Sequence, residues 1–194
     1  MPKSPWEKRV GMLLDPEKHP EFLYSYKPPD TMHGGQPKLD WFACDTLGRF
    51  WLIEVKWLPE TRVSINLRTE VTAGQTDALN QVAFSETGVP LLAVGRGDRL
   101  WVYDWREVIS WQLQQSTENL SRLLPLDAAT FQLRWFGPKA WDHSLYSLVG
   151  VPVPVTALTP PVLELLSHNP APSASISKPR GSTPIVPLMR PLEP

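Results

Sequence analysis

The stretch from Pro37 to Trp57, PKLDWFACDTLGRFWLIEVKW, decides how this chain folds. Between Leu39 and Asp45, Trp41 and Ala43 alternate with Asp40, Phe42 and Cys44, and from Phe50 to Lys56 the residues are almost all β-branched, aromatic or aliphatic. Both runs read as strands. Thr46, Leu47, Gly48 and Arg49 between them make a short glycine-containing turn, which predicts an antiparallel hairpin. Alternate side chains of a strand share a face, so Ile53 and Val55 point to one side while Glu54 and Lys56 point to the other. A carboxylate and an ammonium in the middle of an apolar strand lose their hydration unless they pair or bind something. The hairpin brings Asp40 toward Glu54. At about 4 Å two carboxylates repel by roughly 4 kcal/mol at an effective dielectric of about 20. A divalent cation removes that repulsion, and oxygen ligands with no His or Cys at ligand spacing favour Mg2+ or Mn2+ over zinc.

Outward from the hairpin, the N-terminal side opens with Ser4 and Pro5, a helix start, followed by Trp6, Val10, Leu13 and Leu14 at helical spacing. On the C-terminal side Val63, Ile65 and Leu67 alternate as a third strand after a break at Pro59. Thr72 and Gln75 form a capping box for a helix over roughly Ala73 to Thr87, ended by Gly88. Val89 to Val94 and Leu100 to Tyr103 read as strands joined across Gly95–Asp98, and Asp104 with Glu107 opens a helix to about Gln114. The order is helix, three strands, helix, two strands, helix. It predicts a mixed α/β sheet, joined by a crossover after the long helix and flanked by helices on both faces. No repeat of fixed period occurs. The stripe Trp101, Tyr103, Trp105 reads as core.

The 194 residues suit one ordinary domain, since about 100 to 200 residues is the usual span of a single core. Eleven of the 22 prolines fall in residues 151–194, so the division is a domain over 1–150 and a proline-rich, largely extended tail over 151–194. Only VTALTPPVLELLSH within that tail could hold a short helix. No apolar run approaches the roughly 18 residues that span a bilayer, and charges interrupt the start of the chain, so neither a secretory signal nor a membrane anchor is expected and the protein reads as cytoplasmic. The single cysteine, Cys44, excludes an internal disulfide. His33, His143 and His168 share no ligand spacing. A net charge of -1 gives no global basic field, so any nucleic-acid partner must be held by a local patch.

An acid at Asp40 followed by Glu54, Val55 and Lys56 on the next strand, in this order of elements, resembles the PD-(D/E)XK endonucleases, over approximately Ser4 to Tyr103. Within that superfamily the chain looks most like Holliday junction resolvases of the RecU and archaeal Hjc type. These carry a glutamate on the first helix, here Glu7, a polar glycine-rich approach to the acid, here HGGQPKLD, and a glutamine on the helix after the third strand, here Gln75. Pro37 stands three positions before Asp40, where many members have Pro-Asp adjacent.

The resemblance implies a restriction-endonuclease-like core and a metal-dependent phosphodiesterase. Asp40, Glu54 and the Val55 carbonyl would hold Mg2+, with Mn2+ able to substitute; Lys56 would orient or help deprotonate the attacking water; Glu7 would support a second metal or the water shell. Gln75 has a capping role that needs no catalysis, and Glu7 on a charged helix could equally be surface. The substrate implied is a four-way DNA junction, cut by a homodimer so that two sites meet opposing strands. Phosphate contacts are expected from Lys8, Arg9, Lys38, Arg62 and Arg68, with Arg96 and Arg99 as further candidates. Two other readings stand beside this one. One is a restriction-type or RecB-like nuclease acting on linear duplex or single strands. The other is a non-catalytic DNA-binding or scaffold protein whose tail recruits a partner by polyproline recognition.

Overall fold

The structure is a computed structural model and describes residues 5–29, 39–115, 123–137 and 141–149. Ser4, residues 33–38 of the glycine-rich approach including Lys38, and the whole tail 151–194 lie outside the described residues. The elements are α1 (Pro5–Leu13), β1 (Phe22–Tyr26), β2 (Trp41–Asp45), β3 (Phe50–Trp57), β4 (Ser64–Asn66), α2 (Leu67–Glu70), α3 (Ala73–Ala83), β5 (Gly88–Arg96), β6 (Arg99–Asp104), α4 (Trp105–Gln114), β7 (Leu123–Pro125), β8 (Phe131–Arg134) and α5 (Leu145–Val149). Six strands form one sheet in the order β1-β2-β3-β5-β6-β8, and β4 pairs with β7 in a separate two-stranded sheet. The central pair β3 and β5 is parallel, while every other neighbouring pair is antiparallel. A mixed sheet follows from the chain: β3 leaves the sheet through β4, α2 and α3 before β5 returns in the same direction.

Alternation along β3 builds a core on each face. Trp51, Ile53 and Val55 join Ala43, Leu91 and Ala93 under α1, against Trp6, Val10 and Leu13. Leu52 on the other face joins Leu92, Val94 and Tyr103 under α3 and α4, against Leu79, Trp105 and Val108. Tyr103 and Trp105 are core residues, as their spacing predicts. The hairpin turn is locked by Asp45, fully buried, whose carboxylate accepts from the N–H groups of Leu47 and Arg49, from Arg49 Nε and from Trp51 Nε1. Burial raises the Asp45 pKa, but the bonds from Trp51 and Arg49 outweigh it and hold the carboxyl below its usual range. Gly48 in that turn has φ 73°, which only glycine adopts without strain.

The elements differ from the sequence-based expectation in several places, and β7, β8 and α5 are additional to it. The run FLYSY forms β1, although only Phe22 in it is buried. The third strand exists as β4 but leaves the main sheet, because Pro59 and the turn after it carry it away to β7. Helix α3 stops at Ala83, four residues short of Thr87. There Arg106 reaches across to take the carbonyls of Ala83, Ser85 and Gly88, which fixes a turn where a helix would continue. Gly88 is the first residue of β5, and a Cβ on it would lie 2.1 Å from the Val82 carbonyl oxygen, so its service is close approach beneath the helix end. The expected box at α4 is also shared differently. Asp104 caps Arg106 N–H, but its own N–H donates to Thr130 Oγ1, whose hydroxyl donates to Glu107.

Helix α1 lies close on the sheet because two glycines leave room for indoles. A Cβ on Gly95 would stand 2.0 Å from Trp6, and one on Gly11 would stand 2.3 Å from Trp41. Gly95→Ala is therefore expected to destabilise the fold by about 1–3 kcal/mol through overpacking. Urea denaturation of the variant checks this, and an unchanged midpoint would mean that α1 is not seated as described.

Candidate functional site

The β2–β3 ladder ends early. β2 begins at Trp41 opposite Ile53, so Val55 lies beyond the last paired residue. Its N–H donates instead to Asp40 Oδ2, at 2.8 Å. The N–H and C=O of one strand residue point to the same side, so the Val55 carbonyl faces this same break. Asp40 thus stands in the plane of the sheet, in the place of a strand continuation.

Glu54 is 1% exposed. Its Oε1 accepts from Lys56 Nζ at 2.5 Å and from Gln75 Nε2 at 2.7 Å, while Oε2 is buried with no hydrogen-bond partner among the described residues. Gln75 Oε1 accepts from the Thr72 N–H at 2.9 Å and from Lys56 Nζ at 3.3 Å, and the Gln75 N–H donates to Thr72 Oγ1. The capping box and the contact to Glu54 are therefore simultaneous, because α3 starts beside the end of β3. One amide closes the helix end and holds the carboxylate.

Glu7 approaches from the opposite face. Trp41 Nε1 donates to its carbonyl oxygen at 3.0 Å, which anchors α1 at the start of β2, and its carboxylate pairs with Lys27. The charge of Glu7 acts on both Asp40 and Glu54. Glu7, Asp40, Glu54, Val55, Lys56 and Gln75 are thus brought together at one end of β2 and β3. Lys27 is a further member that the sequence reading missed, since β1 was not read as a strand. The aromatic run Phe22–Tyr26 before it was the available signal.

Burial pushes the Glu54 carboxyl up to about 8, with the nearby Asp40 charge adding to it and Lys56 opposing. Asp40 is raised too, first by burial, against the lowering bond from the Val55 N–H. A buried carboxylate and a half-buried one that repel each other, with one oxygen unpartnered among the described residues, are short of positive charge. Among the described residues no group of three or more His, Cys, Asp or Glu side chains forms a metal cage. The donors gathered here are two side-chain carboxylates and a backbone carbonyl, hard oxygens that fit Mg2+ or Mn2+.

The basic residues are distributed less tightly. Lys8 is exposed on α1 and Arg68 is exposed on α2. Lys8, Gly11, Met12, Asp15, Ser25, Tyr26, Lys27 and Trp41 line a groove of about 460 Å³ between α1 and β1. The Arg9 guanidinium lies 4.5 Å over Trp6 and 5.3 Å from the Trp135 ring. Arg62 forms two bonds to the Glu70 carboxylate and one to the Ser64 carbonyl, bracing the approach to β4. Arg96 lies 5.9 Å over Trp101, and Arg99 stands 3.9 Å from Asp98.

The chain matches no protein-family model, and no curated protein matches it. No helix among the described residues is long and apolar enough to cross a membrane.

A raised carboxyl pKa fixes a pH dependence. Between the ordinary carboxylate range and about 8 the native chain keeps a proton on Glu54 that the unfolded chain releases. Stability from this group is full below that window and lost as pH rises through it. In chelator, the melting temperature should fall from pH 5 to pH 8, and Glu54→Gln, which keeps the acceptor and removes the charge, should flatten the fall. Parallel melting curves for the two proteins across that range would show that Glu54 is not held protonated.

Proposed function

We propose that the chain is a Mg2+-dependent endodeoxyribonuclease of the cytoplasm, with a restriction-endonuclease-like core, that cuts four-way DNA junctions as a homodimer. The observation that supports it is the buried Glu54 beside the half-buried Asp40, with Glu54 Oε2 lacking a hydrogen-bond partner among the described residues, set next to Lys56 at the early end of the β2–β3 ladder. The four-way junction and the homodimer come from the resemblance to the junction resolvases. Asp40, Glu54 and the Val55 carbonyl would hold the cation. When bound, it would supply charge stabilisation at the scissile phosphate and make water a stronger nucleophile near neutral pH.

The rest of the chemistry belongs to the side chains. Gln75, fixed by the α3 cap, holds Glu54 Oε1 and would leave Oε2 to the cation. Lys56, shared between Glu54 and Gln75, would orient the attacking water and meet charge on the phosphate. Glu7, tied by Lys27, keeps a third carboxylate in reserve for the water shell. Lys8 and Arg68 are exposed and available to phosphates as they stand. Arg9 and Arg62 would first have to leave their present partners.

A cleavage panel tests this reading: a four-way junction, a matched linear duplex and a single strand, each with Mg2+ and with chelator. Paired cuts in the junction, lost in chelator, are expected. Asp40→Asn and Glu54→Gln should each keep junction binding and lower the cleavage rate by about a hundredfold or more. Metal-dependent cutting of linear or single-stranded DNA alone would retain the hydrolase and replace the substrate. Binding with no cleavage would favour the scaffold, and undiminished cleavage in chelator would contradict the cation site.

A further inference from the structure

Strand β1 carries Tyr24 and Tyr26, which are 57% and 43% exposed although they lie within a sheet strand. Their rings are near parallel, at 12°, with centroids 6.4 Å apart. A register shift between Phe22 and Tyr24 explains why they stand out. Without it all three aromatics would share one face, since they are spaced by two. With it Phe22 turns under α1, 5.0 Å from the Trp51 ring, and Tyr24 and Tyr26 fall opposite Cys44 and Phe42 on the other face. That is the face of Glu54. Bulges of this kind re-aim side chains and occur beside active sites.

The register also fixes where the two rings lie. Tyr26 is opposite Phe42, and Phe42 is opposite Leu52, one two-residue step before Glu54 on the same face. Two strand spacings and one such step put Tyr26 roughly 12 Å from Glu54, the reach of a nucleotide or two. Lys8 and Lys27 line the groove on the α1 side of the same edge strand, and Lys27 pairs there with Glu7.

We infer that Tyr24 and Tyr26 form a stacking platform for unpaired bases next to the scissile phosphate, so that the preferred substrate exposes a single-stranded or splayed segment there. This rests on the nuclease reading and narrows its substrate. Stacked aromatic side chains hold bases without reading sequence, because every base offers a π face.

The test measures binding in chelator of three labelled DNAs: a forked duplex with a single-stranded arm, the same fork with abasic residues in the arm, and a blunt duplex. The wild-type protein is expected to prefer the fork with bases. Tyr24→Ala/Tyr26→Ala should weaken binding to that fork by roughly tenfold or more per tyrosine and leave the abasic fork and blunt duplex unchanged. Tyr24→Phe/Tyr26→Phe, which keeps the rings, should bind as wild type. Equal affinity for the base-containing and abasic forks, or a phenylalanine variant as weak as the alanine one, overturns the platform. So does failure to bind any of the three. Light scattering completes the set: a dimer that becomes a monomer in the alanine variant, with all three DNAs weakened alike, would assign the tyrosines to a second copy of the chain and overturn the inference. Base-dependent binding by a protein that cleaves nothing would keep the platform and sink the nuclease. Cleavage with base-independent binding would do the reverse.

Discussion

A carboxylate buried in the middle of a central strand is the constraint around which this molecule is arranged. Glu54 sits where its neighbours Leu52 and Leu92 are fully enclosed, and water cannot stabilise its charge there. The protein meets half of that demand with Lys56 and Gln75 on one oxygen and, among the described residues, leaves the other oxygen without a partner. Asp40 then adds a like charge instead of relieving the first. A fold selected for stability alone would place an apolar residue at position 54, since replacing buried ionic groups by packed hydrophobic ones is often neutral or favourable. An arrangement that sets a second, half-buried carboxylate beside the buried one makes sense when something positive joins them.

Three layers meet to build that arrangement. Helix α1 brings Glu7 down on one face, seated closely because Gly11 and Gly95 leave space for Trp41 and Trp6. The sheet contributes Asp40 in its own plane, by ending the β2–β3 ladder early and giving the Val55 N–H a carboxylate for a partner. Helix α3 delivers Gln75 from the other face, at the point where its first turn needs a cap in any case. The central parallel pair makes this geometry available, because the crossover from β3 to β5 sets the start of α3 at the end of β3 where the ladder opens.

Much of this is legible in the sequence. The hairpin from Trp41 to Trp57, the α3 capping box, the β5 and β6 strands and the α4 start all follow from patterns of two and of three to four residues, where local preference and burial agree. Glu54 and Lys56 stand out for the same reason, as polar residues in an apolar run. What the pattern hides depends on partners far away in the chain. Strand β1 buries only Phe22, so its burial does not follow the two-residue spacing of its aromatics, and the register shift that turns its tyrosines outward depends on its pairing with β2. Lys27 is hidden along with it. The early end of α3 depends on Arg106, more than twenty residues from Ala83 in sequence. Arg62 reads as a free cation until Glu70 is folded against it.

The central claim is that Asp40 and Glu54 form a cation site in competition with a proton on Glu54. Calorimetric titration of Mg2+ or Mn2+ into the metal-free protein at several pH values tests it directly. The account predicts binding that tightens as pH rises toward about 8 and that releases a proton below it, with both effects lost in Glu54→Gln. Binding that is independent of pH, or equal in the wild type and the Glu54→Gln variant, would contradict it.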